Sequence, residues 1–118
     1  MTLNHVHLGT KNIANAQKFY SQYFGFKEKA QHGDGIFLED DKGFLIAIDP
    51  VTELPILPDW YHLGFCLQSE GEVFKIYDAM KKNQENIVRD MKLSNGRFTS
   101  FFVKDPDGNK LEVSWHNE

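Results

Sequence analysis

Of the side chains able to ligate a metal or carry a proton, four share a setting: His5, His7, His62 and Glu112 each sit on an alternating, strand-like segment, on the less apolar face. His5 and His7 oppose Val6 and Leu8 in the segment Leu3 to Leu8, and His62 shares a face with Trp60, Gly64 and Cys66 in Trp60 to Gln68. Imidazole offers a nitrogen lone pair and a carboxylate offers a hard anionic oxygen. Two of the first with one of the second make a facial triad for a divalent ion such as Mn, Fe, Zn or Ni, with positions left open for water and substrate. An ion held this way is a Lewis acid, suited to a substrate that presents two adjacent oxygens. A single histidine of this kind more commonly reads as a hydrogen-bonded structural residue. A carboxylate among aromatic residues must be solvated, paired or bound to a metal, because an isolated buried charge is very costly.

Glu112 is positioned by the stretch Phe98 to His116, which reads as two strands joined by the turn Asp105-Pro106-Asp107-Gly108-Asn109. Counting back from that turn pairs Lys104 with Lys110, Val103 with Leu111, and Phe101 with Val113. Phe102 then lies opposite Glu112 and Ser100 opposite Ser114. Leu111, Val113 and Trp115 are expected to face a core, with Glu112 on the other side.

The histidines are positioned by a repeated unit. After the first strand, Asn12 can cap a helix in which Ile13, Ala16, Phe19, Tyr20, Tyr23 and Phe24 recur at helical spacing, and Gly25 can end it. Strands over Phe26 to Gln31, Ile36 to Glu39 and Phe44 to Asp49 complete a β-α-β-β-β order. Pro50 to Asp59 holds three of the four prolines and reads as a connector. The pattern then restarts, with a capping box at Ser69-Glu70-Gly71-Glu72, a helix carrying Val73, Ile76, Tyr77 and Met80 and ending near Asn83, a strand over Asn86 to Lys92, and the closing hairpin.

An offset of 57 residues relates His5 to His62, and one of 65 relates Asp40-Asp41-Lys42-Gly43 to Asp105-Pro106-Asp107-Gly108. The second offset places Ala47 where the other copy has Glu112. The expected fold is therefore α+β: two βαβββ modules, 1–49 and 60–118, joined by connector 50–59 in a single domain, 1–118. Their mixed sheets form a cup, with the helices outside against Val6, Leu63, Phe65 and Val113. Packing about a pseudo-twofold axis brings His5, His62 and Glu112 together and leaves Ala47 at a fourth corner. Leu45, Trp60, Phe98, Ser100 and Phe102 have the parity to line the cup, where they suit an apolar or aromatic part of a ligand. His7 supports the ligands, acts as a general base, replaces one of them, or is equally well a half-exposed cavity histidine without a chemical role. Cys66 reads as an inert small core residue, and neither His116 near the chain end nor His32 in a turn reads as a primary ligand.

With 118 residues, 41% of them hydrophobic, the chain suits one ordinary core. A formal charge of −4 with scattered lysines argues against nucleic acid or an anionic membrane as partner. The absence of a long apolar run, the lack of signal-peptide character in Met-Thr-Leu-Asn-His, and the single Cys66 lead us to expect a cytoplasmic protein.

Leu3-Asn4-His5-Val6 followed by Phe19-Tyr20 and Phe24-Gly25-Phe26 resembles the opening module of the vicinal oxygen chelate superfamily, and Asp105 to Glu112 resembles its closing one. That superfamily includes glyoxalase I, extradiol dioxygenases, and fosfomycin and bleomycin resistance proteins. The motifs are specific to the superfamily and not to a reaction. The resemblance carries metal ligands onto His5, His62 and Glu112, with Ala47 at the remaining ligand position, where a glyoxalase I would hold a carboxylate. The two-histidine, one-glutamate set looks like the fosfomycin resistance site, and Pro58-Asp59-Trp60-Tyr61-His62 and Ser100-Phe101-Phe102 are similar to that group; His7 stands where that group has threonine. The resemblance implies a metal-dependent enzyme acting on a small oxygenated metabolite or antibiotic by lyase, dioxygenase or transferase chemistry. The alternative is a metal-free drug-sequestering protein of the bleomycin resistance type. It also implies a homodimer with cups completed across two chains.

Overall fold

A computed structural model describes residues 1–117. The elements run β1 (His5–Thr10), α1 (Ile13–Phe24), β2 (Lys27–His32), β3 (Gly35–Glu39), β4 (Leu45–Pro50), β5 (Leu63–Cys66), α2 (Glu70–Lys82), β6 (Asn86–Ser94), β7 (Phe98–Lys104) and β8 (Lys110–His116). The chain divides into two compact units, Met1–Ile56 and Leu57–Glu118. Each holds one helix and one four-stranded mixed sheet, and the strand orders match: β1-β4-β3-β2 in the first and β5-β8-β7-β6 in the second. This is the expected α+β, twice-repeated βαβββ architecture.

In the first unit, Asn12 accepts the Asn15 N–H on its side chain and so starts α1, a cap worth about 1 kcal/mol. Ala16, Phe19, Tyr20 and Tyr23 form the buried stripe of the helix and meet Phe26, Leu38, Ile46 and Ile48. β1 runs parallel to β4, with His5 beside Leu45, His7 beside Ala47 and Gly9 beside Asp49. Val6 and Leu8 are half-buried while His5 and His7 are exposed, as the parity requires. β2 is exposed at every position, and its lysines mark a sheet edge protected by charge.

In the second unit the hairpin register agrees at every pair with the sequence-based expectation, including Phe102 opposite Glu112. Phe101, Val103, Leu111 and Val113 are fully buried beneath α2 with Val73 and Met80. Buried Thr99 donates to Glu70 Oε2 at 2.5 Å, tying the first turn of α2 to β7. The two equivalent turns use one device. Asp40 Oδ1 accepts the N–H groups of Lys42 and Phe44, and Asp105 Oδ1 accepts those of Asp107 and Asn109. Gly43 and Gly108 take φ of 89° and 86°, a region costly for residues with a Cβ. Some boundaries differ from expectation: β1 starts at His5 and not Leu3, β6 runs on to Ser94, and the ladder of β5 covers Leu63–Cys66 and leaves Trp60 to His62 outside it. Tyr61 N–H bonds to Pro58 O, so a local turn holds the chain before the strand can start.

Tyr77 of α2 meets the Phe101 ring edge-on and donates to Asp90 of β6, and Lys81 lies over the Tyr77 ring. The bond from Tyr77, helped by the Met91 N–H, holds the Asp90 carboxyl below the usual carboxylate range, and the same bond holds the Tyr77 phenol above its ordinary value. A depressed carboxyl stabilises the fold above its unfolded-state value and ceases to do so as pH falls through its folded value. A raised phenol does so below its unfolded-state value, until pH rises through the folded one. Tyr77→Phe is therefore expected to lower stability slightly near neutral pH, with the difference from wild type closing in strong acid and in strong base. Denaturant titrations at those pH values measure it, and a constant difference at every pH would contradict this account.

Candidate functional site

The sequence-selected residues fall into two clusters, one in each unit. In the first unit, His5 Nδ1 donates to Asn4 Oδ1 at 2.8 Å, and His7 Nε2 donates to Asp49 Oδ2. His5, His7 and Asp49 share a face because β1 and β4 are parallel and in register. Asp49 was missed by the sequence reading, although Leu45, Ala47 and Asp49 alternate, so strand parity alone places it beside the histidines. Gly35 makes the contact possible: a methyl there would stand 2.2 Å from Asp49 Oδ1 and 2.6 Å from the Ile48 carbonyl oxygen.

In the second unit, His62 Nδ1 donates to the Trp60 carbonyl oxygen at 3.0 Å. This bond places a ring proton on Nδ1, and Nε2 lies 3.5 Å from Glu112 Oε1. An imidazolium would donate from Nε2 to the carboxylate there, whereas a neutral ring would leave a lone pair that a divalent cation could share with it. Two donors each about 2.0–2.2 Å from one ion stand about 3.0–3.5 Å apart at angles between about 90° and 110°. The observed spacing fits a shared metal ion. Both side chains are about one-third exposed or less, open on one side to an incoming ligand.

Phe102 organises the surroundings of this pair. Its ring meets the His62 ring edge-on at 5.0 Å between centroids, with the Arg89 guanidinium 4.5 Å and the Lys110 ammonium 5.0 Å from its centre. Lys110 also donates to the Asp59 carbonyl oxygen at 2.6 Å, fastening the segment before His62 to β8. Ser100, predicted to line the ligand face, is buried and receives Arg89 on both its hydroxyl and carbonyl oxygens. Trp60 supplies its carbonyl to the site while its ring, largely exposed, leans on Tyr61. Phe98 lies at the far end of the hairpin against His116. Leu45 and Ala47 belong to the first unit, half-buried beside His5 and His7. Among the described residues, no three His, Cys, Asp or Glu side chains form one group able to hold a metal. The second unit contributes the His62 and Glu112 pair, and His5 stands in the first. Among the described residues no helix is long and apolar enough to cross a membrane, which says nothing of β-barrel proteins.

Known proteins are similar to this chain in sequence and fold. The chain is 25% identical over 114 residues to the metallothiol transferase FosB of Lysinibacillus sphaericus, spanning 94% of this chain and 79% of that protein. A structure described as a "possible Glyoxalase" from Bacillus cereus superposes with a TM-score of 0.82 at 25% identity, covering 96% of this chain and 97% of its own. The fosfomycin resistance protein FosX from Listeria monocytogenes superposes at 0.85 with 21% identity, covering 99% and 94%, a likeness of fold. The family model matches residues 2–113, and the chain belongs to the Glyoxalase/Bleomycin resistance protein/Dioxygenase superfamily.

Proposed function

We propose that this chain is a divalent-metal-dependent enzyme acting on a small oxygenated metabolite or antibiotic, with His5, His62 and Glu112 as the metal ligands. The observation that carries this reading is the His62 and Glu112 pair, with Nδ1 of the imidazole committed to the Trp60 carbonyl and Nε2 facing a carboxylate oxygen at 3.5 Å. The similarity to a metallothiol transferase favours group transfer over lyase or dioxygenase chemistry. A metal bound at this place supplies Lewis acidity toward a substrate oxygen. The protein's own part is to fix the imidazole tautomer, to keep one face of the pair open, and to place an aromatic wall, Phe102, beside the substrate. His7 stands outside the ligand set, occupied by Asp49. Metal analysis of protein purified without chelator or affinity tag is expected to find about one Mn, Fe, Zn or Ni per chain. Metal-free protein that also takes up none of the four ions on titration would instead identify a metal-free ligand-binding protein.

The proposed active form is a homodimer in which His5 of one chain joins His62 and Glu112 of the other. Two features support it. Each sheet ends in two edge strands, β1 and β2 in the first and β5 and β6 in the second, and the stretch around the connector presents Ile56, Leu57, Trp60 and Tyr61 to solvent in the single chain. Light scattering is expected to give twice the chain mass across the micromolar range. A monomer at all those concentrations would overturn the dimer.

A further inference from the structure

Resting on the reading of His62 and Glu112 as metal ligands, we infer that Arg89 is a positioning residue that fixes Glu112 as a one-oxygen ligand. The β6 to β7 ladder slips its register on both sides of Arg89, so this residue, and not Val88, comes opposite Phe102. Bulges of this kind re-aim a side chain without breaking the strand. Once re-aimed, the guanidinium is held from several directions. Nη1 donates to the carbonyl oxygens of Ser100 at 3.1 Å and Asp90 at 3.2 Å, Nη2 donates to Ser100 Oγ at 2.8 Å, and the plane lies over Phe102. Both Nη1 hydrogens and one on Nη2 are thereby committed to the protein, which makes the group a strut and not a free hand for substrate.

The remaining side of Nη2 faces Glu112 Oε2 at 3.9 Å, while Oε1 of the same carboxylate faces His62. The two oxygens therefore have different surroundings: Oε2 lies in the field of a fixed cation, and Oε1 is the one that would meet an ion held with His62. An ion chelated by both oxygens would have to approach the guanidinium, and charge repulsion disfavours that approach. Arg89 thus acts on the metal through Glu112, by holding the rotamer and the coordination mode.

Removing the guanidinium has two opposed effects on metal affinity: it deletes a repulsive charge, and it frees the carboxylate. The loss of a group that orients a ligand typically costs about 10–100-fold in affinity, and we expect it to prevail because the guanidinium is so fully anchored. Calorimetric Mn²⁺ titration of the full-length wild type, Arg89→Met, Arg89→Lys and Ser100→Ala tests this, with the Mn²⁺ paramagnetic resonance spectrum of each loaded protein and thermal unfolding as the fold control. Arg89→Met is expected to bind about tenfold or more weakly with an altered spectrum. Arg89→Lys should recover part of the affinity, and Ser100→Ala should fall between Lys and wild type. Arg89→Met binding as tightly as wild type or more tightly, with an unchanged spectrum, overturns the positioning role while leaving the metal site standing. If Arg89→Met fails to fold, Ser100→Ala and Arg89→Lys decide, and equal binding by both overturns it. A wild type that binds no Mn²⁺ overturns the metal reading and this inference with it.

Discussion

His62→Ala and Glu112→Ala are each expected to lower affinity for a divalent ion by about a hundredfold or more while leaving the fold intact. Each side chain supplies a donor atom but little packing: both stand partly exposed, and the buried core beneath them is made by Phe101, Val103, Leu111 and Val113. His5→Ala should show a comparable loss. His7→Ala should retain the metal, because its Nε2 is already committed to Asp49. Calorimetry on apo wild type and the four variants makes the measurement. Equal binding by all five proteins would sink the triad, and a loss confined to His7→Ala would move the ligand assignment along β1 by two residues.

The second large effect is expected at Gly35. Gly35→Ala places a methyl against two oxygens of β4, and only one of them can move away: Asp49 can rotate, but the Ile48 carbonyl belongs to the backbone. We expect a loss of about 1–3 kcal/mol, the usual range for forcing an extra carbon into a packed place. The rotation of Asp49 should also release His7, detectable as a changed ring environment in the histidine NMR signals. Gly64→Ala is the internal control, since no atom lies within 4 Å of its added methyl. Similar denaturation midpoints for the two variants would contradict the steric account.

The contrast between these residues shows where sequence reading succeeds. The register of β7 against β8 was legible because one turn with a recognisable aspartate and glycine pattern fixes it, and period-two alternation then carries it to Glu112. The repeat was legible for the same reason, since Asp40 and Asp105 perform one task at equivalent places. Arg89 was not. Extending a regular ladder from Asn86 opposite Lys104 puts Val88 opposite Phe102, and a bulge, which no local residue type announces, replaces it with Arg89. Asp49 was overlooked for a different reason: an acidic residue beside Pro50 reads as the end of a strand, yet its parity pointed to His7. His62 was read as a strand residue, yet the Trp60 carbonyl bond and not a strand ladder holds its ring.

Cys66 is the sole cysteine, it is exposed and not in the core as the sequence suggested, and it pairs with Ser114 two residues along from the Gly64 and Glu112 pair. Two strand residues span about 6.6 Å, so the sulfur stands on the same face as Glu112 and close to it. The natural chain therefore comes with a built-in attachment point. A small thiol-reactive fluorophore or spin label placed there would report ion entry or ligand arrival at Glu112 as a change in emission or line shape, without engineering a new residue or removing a competing one.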